Sequence, residues 1–371
     1  MTTAEPGSAA GPARARAVAF YLPQFHPIPE NDRWWGTGFT EWTNVTRARP
    51  LFRGHRQPRV PADLGFYDLR LPETRAAQAA LAARHGLAGF CYWHYWFAGK
   101  RLLERPFDEV LQSGEPDFPF CLAWANEPWT RTWFGRGEVL QEQCYSPEDD
   151  VAHARWLLPA LADARALRVR GRPLFLVYRP NDLPEPRRST DTLRAECVRA
   201  GLPDPYLIGI NSWSRGTDCR TLGFDTTLDF EPQLGDLPGY LVDGAGLARL
   251  RRNVRLGVMS AHLKVYSYPE ARGLMARRRA QLHFPYVPSI FAGWDNTPRR
   301  GRNGIIIVDD GVQDFEAALR EGFDATATLP PDERLVFVNA WNEWAEGNYL
   351  EPDTLDGLAR LEALQRVIEP Q

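Results

Sequence analysis

Short runs of apolar, β-branched and aromatic residues recur along the 371-residue chain, separated by stretches with helical periodicity. The clearest runs are Ala17-Val-Ala-Phe-Tyr-Leu22, Ala88-Gly-Phe-Cys-Tyr-Trp-His94, Pro119-Phe-Cys-Leu-Ala-Trp-Ala-Asn126, Pro173-Leu-Phe-Leu-Val-Tyr178 and Tyr206-Leu-Ile-Gly-Ile-Asn211. Thr226–Glu231, Tyr286–Phe291 and Arg334–Trp341 supply three more. Helical patterns fall at Glu73–His85, Pro106–Ser113, Pro147–Val169, Asp191–Ala200, Asp314–Glu321 and Leu355–Val367. Continuous apolar strands alternating with helices imply βαβ units around a buried parallel sheet. Eight strands in about 350 residues fit an α/β protein of the (β/α)8 TIM-barrel class. A doubly wound open sheet is the alternative; it usually carries a Gly-rich phosphate turn after an early strand, and none is found here.

Two connections are long. Residues 23–72 are loop-rich and aromatic, and residues 233–285 include the basic triplet Arg277-Arg278-Arg279, read as a solvated helix face. Long loops at the carboxyl-terminal face of a barrel are more often functional than idle. Residues 1–16 read as a flexible tail and 17–371 as a single (β/α)8 catalytic domain.

Polar and aromatic residues gather where these strands end. The first ends in Gln24-Phe25-His26, the second in Trp93-His94-Tyr95-Trp96, the third in Asn126-Glu127-Pro128-Trp129 and the fifth in Asn211-Ser212-Trp213. Asp229 and Glu231 close the sixth, Trp294 and Asp295 follow the seventh, and Asn342–Glu346 follow the eighth. Barrel active sites lie at that face.

Composition narrows the ligand class. Thirteen tryptophans stand out, most beside polar or charged residues. Core packing explains some of them, but an aromatic ring beside Asn, Asp, Glu or His also suits a sugar, with its C–H face and hydroxyl edge. A net charge of −3, from 44 basic and 47 acidic residues, provides no field for nucleic acid or an anionic membrane. No apolar run is long enough to span a bilayer. The five cysteines are scattered and no zinc spacing occurs, so neither a disulfide framework nor a metal is expected. No cofactor motif is found. The first residues have no apolar core of a secretory signal, and the expectation is a cytoplasmic protein.

Glycoside cleavage needs two carboxyl groups, one acid and one base or nucleophile. Glu343 and Glu346 in Asn342-Glu343-Trp344-Ala345-Glu346-Gly347 would share a face on a helical turn. Spacing alone reads equally well as one capping and one solvated glutamate; the position after the eighth strand favours function. Glu127, after Asn126, is a second candidate, either as acid/base or as a substrate-binding carboxylate. Glu41 and Glu231 each read as a structural or binding group. Asp309-Asp310 could hold a metal–nucleotide, but reads better as a loop before a helix at Gly311.

These residues carry a family resemblance. Ala19-Phe-Tyr-Leu-Pro-Gln-Phe-His26, the Trp34–Trp42 segment, Gly89–Phe97, Ala123-Trp-Ala-Asn-Glu-Pro-Trp129 and Asn339–Gly347 resemble the WbsX-type proteins of bacterial polysaccharide gene clusters, also described as glycoside hydrolase family 99-like. The resemblance spans about Val18 to Asp353. It implies a (β/α)8 barrel acting on α-linked mannose- or rhamnose-type sugars, endo-acting and retaining through neighbouring-group participation. It gives Glu343 the role of base and Glu346 that of general acid. The residues expected to contact the saccharide are Tyr21, His26, Trp35, Glu41, Trp42, His94, Trp96, Trp124, Asn126, Trp129, Asn211, Trp213, Glu231, Trp294, Trp341 and Asn342. WbsX proteins have also been labelled glycosyltransferases, so transfer in polysaccharide assembly is the first alternative and a non-catalytic carbohydrate-binding barrel the second.

Overall fold

A computed structural model describes residues 15–131, 137–212, 216–237, 246–258 and 262–369. All eight expected strands form: β1 (Arg16–Tyr21), β2 (Gly89–Phe97), β3 (Phe120–Trp124), β4 (Arg172–Val177), β5 (Tyr206–Asn211), β6 (Thr226–Asp229), β7 (Tyr286–Phe291) and β8 (Leu335–Asn339). Each pairs in parallel with its neighbours in sequence order. β1 closes the circle by pairing with both β2 and β8, Ala19 lying opposite Phe90 on one side and Val338 on the other.

Two apolar layers follow from the two-residue period of the strands. Val18, Phe20, Cys91, Cys121, Ala123, Leu176, Ile208, Leu228 and Phe337 fill the barrel interior. Trp93, Tyr178 and Phe230 pack above them. Residues of opposite parity, among them Tyr21, Tyr92, Trp96, Leu122, Trp124, Val177 and Val338, face outward into a second core beneath the helices. Both faces of every strand are therefore apolar, which is why the strands read as continuous runs without alternation.

The helices that cover the barrel are α3 (Pro72–Arg84), α4 (Arg105–Ser113), α5 (Pro147–Ala162), α6 (Pro186–Arg199), α8 (Tyr268–Arg279), α10 (Val312–Ala325) and α11 (Ala359–Ile368). α5 is shorter than the pattern 147–169 implies. Arg168–Val169 instead pairs antiparallel with Arg172–Pro173, a hairpin leading into β4. Among the described residues between β5 and β6, the 3-10 turn Cys219–Leu222 stands in place of a helix. Both long connections carry secondary-structure elements among the described residues. Residues 23–72 carry α1 (Pro29–Trp35) and α2 (Glu41–Arg47). The second adds α7 (Gly246–Leu256) and a strand, Lys264–Ser267, which joins Ile305–Val308 and Trp294–Asp295 in a side sheet. α9 (Thr297–Arg300) leaves that sheet toward the barrel mouth.

The triplet on α8 departs from a solvated face. Arg277 is exposed, but Arg278 pairs with Asp229 and Arg279 with Glu231 at the end of β6. Both acids have outward parity and are almost completely buried, so the helix must supply their counter-charges. Replacing Arg279 by Ala strands a buried carboxylate and should lower unfolding free energy by about 3 kcal/mol. The Arg277→Ala change should cost at most about 0.5 kcal/mol. Urea denaturation of the two variants checks this; equal losses would show that the α8 face is solvated after all.

Candidate active site at the barrel mouth

Beyond β8 the chain makes a small hairpin, Asn342-Glu343 pairing antiparallel with Asn348-Tyr349. Its tip is the 3-10 turn Trp344–Glu346, closed by Gly347 at φ +60°. A Cβ on Gly347 would also sit 3.0 Å from the Cβ of Asp295, so glycine is required twice over. The Trp344 ring stacks on Tyr349 at 3.9 Å and stiffens the turn that carries both glutamates.

Two asparagines fix the bases of the mouth loops. Asn342 accepts from the Leu22 N–H at 2.7 Å and donates to the Leu22 carbonyl at 3.0 Å. Asn126 treats Arg179 in the same way, accepting from its N–H at 2.7 Å and donating to its carbonyl at 2.9 Å. In each Asn-Glu pair the amide thus mimics a strand neighbour and clamps the next strand's end. Both asparagines are fully buried and their side chains are engaged with protein backbone, so neither is placed to read a sugar hydroxyl as expected.

The glutamates that follow them occupy the mouth. Glu343 and Glu346 meet Glu41, from the first turn of α2, around one guanidinium. Arg299 on α9 donates to Glu346 at 2.7 Å, to Glu41 at 3.2 Å, and to Glu343. Side-chain exposure falls from 22% at Glu346 to 10% at Glu343 and 0% at Glu41. α9 is itself held by Asp295, which accepts from the Thr297 N–H (3.0 Å), the Thr297 hydroxyl (2.6 Å) and Gln57 (2.7 Å), and binds His55 at 2.7 Å. Asp295 is buried, which raises its pKa, yet the His55 contact and the other donors hold it below the usual carboxylate range. Sequence reading missed Arg299 because nothing in Pro298-Arg299-Arg300 distinguishes it from surface arginines. The available clue was electrostatic: three acids in a closed mouth need a cation.

Among the described residues, Arg299 is the one guanidinium that bonds all three carboxylates, and two of the three are almost completely buried. Burial pushes the Glu343 carboxyl up to about 8, against the pull of Arg299 and with added repulsion from Glu346 and Glu41. Glu346 is raised for the same reason, burial first. The Arg299 guanidinium is correspondingly more basic: burial opposes its charge, but Glu41, Glu343 and Glu346 outweigh it. Burial and mutual repulsion thus both favour the protonated form of this carboxyl pair.

Glu127 stands apart from that cluster. It pairs with Arg179 at 2.7 Å and its side chain is 41% exposed. Tyr95, at the end of β2, joins the two halves electrostatically. Its phenol is raised well above the usual range by burial first and then by Glu343, and Arg299, Glu127 and Glu41 also act on it. Trp129 meets Tyr95 edge-on at 5.2 Å and Trp34 at 5.5 Å, and the Arg131 guanidinium lies 5.3 Å from the Trp35 ring. Trp34, Trp35 and Trp129 are all partly exposed and form an aromatic shelf, Trp129 standing two residues after Glu127 in the chain. Tyr95 and Trp34 were absent from the expected contact set.

Strand parity moves several expected contacts away from the mouth. Tyr21 donates its hydroxyl to Gln78 at 2.7 Å; the His94 ring stacks on Trp156 and its Nε2 lies 2.9 Å from that of His153. Trp96 donates to Asp149 at 2.9 Å and Trp124 to the Trp96 carbonyl at 3.1 Å. All four face the helical layer, one residue out of phase with the inward Phe20, Trp93 and Ala123. Glu231 is tied to Arg279, and Asn211 accepts from the Thr217 N–H at 3.4 Å. Trp42, Trp294 and Trp341 lie in the outer core, Trp42 donating to the Tyr67 carbonyl at 2.8 Å. His26 is buried, and burial lowers its pKa to about 4. Trp213 lies outside the described residues. Asp310, once a metal candidate, pairs with Arg360 at 3.2 Å in the loop before α10.

Residues 17–364 match the family described as Glycosyltransferase WbsX. The chain belongs to the WbsX family. It is 43% identical over 356 residues to WxcX of Xanthomonas campestris pv. campestris strain B100, a match that covers 95% of this chain and 50% of that protein. This WbsX chain thus spans about half the length of the curated relatives it matches. Among solved structures it resembles the glycoside hydrolase family 99 endo-α-mannosidase from Bacteroides thetaiotaomicron in complex with bis-tris-propane. There identity is 16%, coverage 95% of this chain and 96% of that one, and the TM-score 0.58. A glycoside hydrolase-like protein gives 13% identity, coverage of 100% and 98%, and the same TM-score. At such identities the likeness is one of fold: a closed (β/α)8 barrel with helices between its strands.

The buried carboxyls have a consequence for stability. A raised folded-state pKa means that stability is fully present below the unfolded value, about 4.3 for glutamate, and is lost as pH rises through the folded value. With Glu343 near 8, the melting temperature should fall between pH 5 and pH 8. Glu343→Gln should flatten that slope and be more stable than wild type at pH 8. Calorimetry at the two pH values checks it; parallel slopes would mean that Glu343 holds no proton in the folded protein.

Proposed function

We propose that this WbsX barrel is a retaining, endo-acting glycoside hydrolase that cleaves α-linked mannose- or rhamnose-type sugars within a bacterial polysaccharide, with Glu343 and Glu346 as its acid/base pair. The observation that carries the reading is the shared Arg299 clamp. It holds two carboxyl groups three residues apart in a buried mouth, where burial raises the pKa of both. An acid–base pair needs one protonated and one ionised member at working pH, and a common guanidinium with mutual repulsion creates that asymmetry.

The family resemblance makes Glu343 the base and Glu346 the acid, whereas burial in the free protein favours the protonated form of Glu343. A sugar hydroxyl bound against Glu343 would have to take over the stabilisation that the proton now provides. In this reading Glu127, exposed and paired with Arg179, serves as a substrate-binding carboxylate together with the partly exposed rings of Trp34, Trp35 and Trp129. Tyr95 interacts electrostatically with both Glu343 and Glu127. Sugar faces stack on such rings while the carboxylates accept from hydroxyls.

Glycosyl transfer is the second reading, favoured by the family's own description. Three carboxylates around one cation are poorly suited to the phosphates of a nucleotide donor, since like charges would repel it. Glu343→Gln and Glu346→Gln should each lower kcat by at least about a hundredfold while oligosaccharide binding persists. The acid variant alone should recover on an aryl glycoside whose leaving group needs no proton; with the roles above, that is Glu346→Gln. Wild-type rates in both variants, or saturable binding of a nucleotide sugar by calorimetry, would overturn the hydrolase reading.

A further inference from the structure

One carboxyl group behind the mouth has no part in the chemistry above. Glu351 is 2% exposed and accepts from the Trp344 indole N–H at 2.6 Å, Gln78 at 2.7 Å and the Tyr67 hydroxyl at 2.8 Å. These three donors are all neutral. Tyr67 in turn accepts from the Asn342 amide at 3.3 Å, and Gln78 accepts from the Tyr21 hydroxyl at 2.7 Å. The Glu351 N–H donates to the Trp341 carbonyl at 3.2 Å. Glu351 thus grips residue 344 directly and residue 342 through Tyr67, on either side of Glu343.

We propose that Glu351 is a positioning residue that sets the placement of Glu343 and Glu346 by holding Trp344 between them. This rests on the carboxylate pair being the reacting pair. Trp344 opens the turn that carries Glu346 and directly follows Glu343; it is stacked on Tyr349 on one face and tethered at its N–H by Glu351, so the seat of its indole fixes the turn between the two glutamates. The two carboxyl oxygens of Glu351 accept from all three neutral donors at once; a glutamine would present an N–H to one of them. Burying a charge without a cation is unfavourable, and burial raises the Glu351 carboxyl to about 7 despite its donors. A group retained for packing alone would be better served by an apolar side chain.

The test is steady-state hydrolysis of an oligosaccharide by wild type, Glu351→Gln, Trp344→Phe and the double variant. Trp344→Phe deletes the indole N–H while keeping a ring against Tyr349. A misplacement of the pair by about 1 Å should lower kcat by roughly a hundredfold. Both single variants are expected to lose kcat on that scale with KM changed by less than about twofold, and the double variant to be no worse than either, because both cut the same link. Multiplicative losses, or wild-type kcat in Trp344→Phe, would overturn the proposal even if Glu351→Gln failed to fold. A wild-type protein that cleaves no glycoside would instead defeat the carboxylate-pair reading, and this inference with it.

Discussion

Burying Glu41, Glu343 and Glu346 together sets a charge problem that Arg299 answers only in part. Crowding three carboxyl groups around one guanidinium in a largely buried space favours their protonated forms. That constraint explains much else at the mouth. α9 has to deliver its arginine to one place, so Asp295 is fixed by His55, Gln57 and Thr297. The hairpin has to present two glutamates to the same guanidinium, so its turn needs Gly347 and the Trp344–Tyr349 stack. The tryptophans near β8 lower the local dielectric more than they offer a surface: Trp341 and Trp344 are fully buried.

The two Asn-Glu pairs apply one device twice. In each, the asparagine replaces a missing strand neighbour and the next residue is turned into the mouth, where an arginine meets it. The environments then diverge. Glu343 is enclosed and its ionisation is strongly perturbed; Glu127 is exposed to solvent, two residues before Trp129 of the aromatic shelf. The same local motif thus provides a proton-holding group on one side and a solvated carboxylate on the other, and the surroundings decide which.

The barrel itself was legible because its strands are buried on both faces and bounded by helical patterns. All eight strands and most helices fall where the apolar runs put them. What could not be read was orientation. His94, Trp96 and Trp124 stand at the ends of mouth-forming strands, but a one-residue phase difference sends them to the helices and leaves Trp93 and Tyr95 facing in. In a strand that is apolar on both faces, no alternation in the sequence marks which parity is inward. Counter-charges were equally hidden, because Arg279, Arg299 and Arg360 meet their acids across 48, 44 and 50 residues of chain. Glu343 and Glu346 were accessible to sequence reasoning only because their spacing and their strand end coincide.

The central claim, that this carboxylate pair cleaves α-glycosidic bonds with retention, is tested most directly by following anomeric proton signals in NMR while the purified protein acts on α-linked mannose or rhamnose oligosaccharides in deuterated buffer. The account requires new reducing ends whose first-formed anomer is α, appearing before mutarotation. First formation of the β anomer would contradict the retaining mechanism. If no reducing end is released from these oligosaccharides, but one of them is extended on addition of a nucleotide sugar, the hydrolase account is wrong.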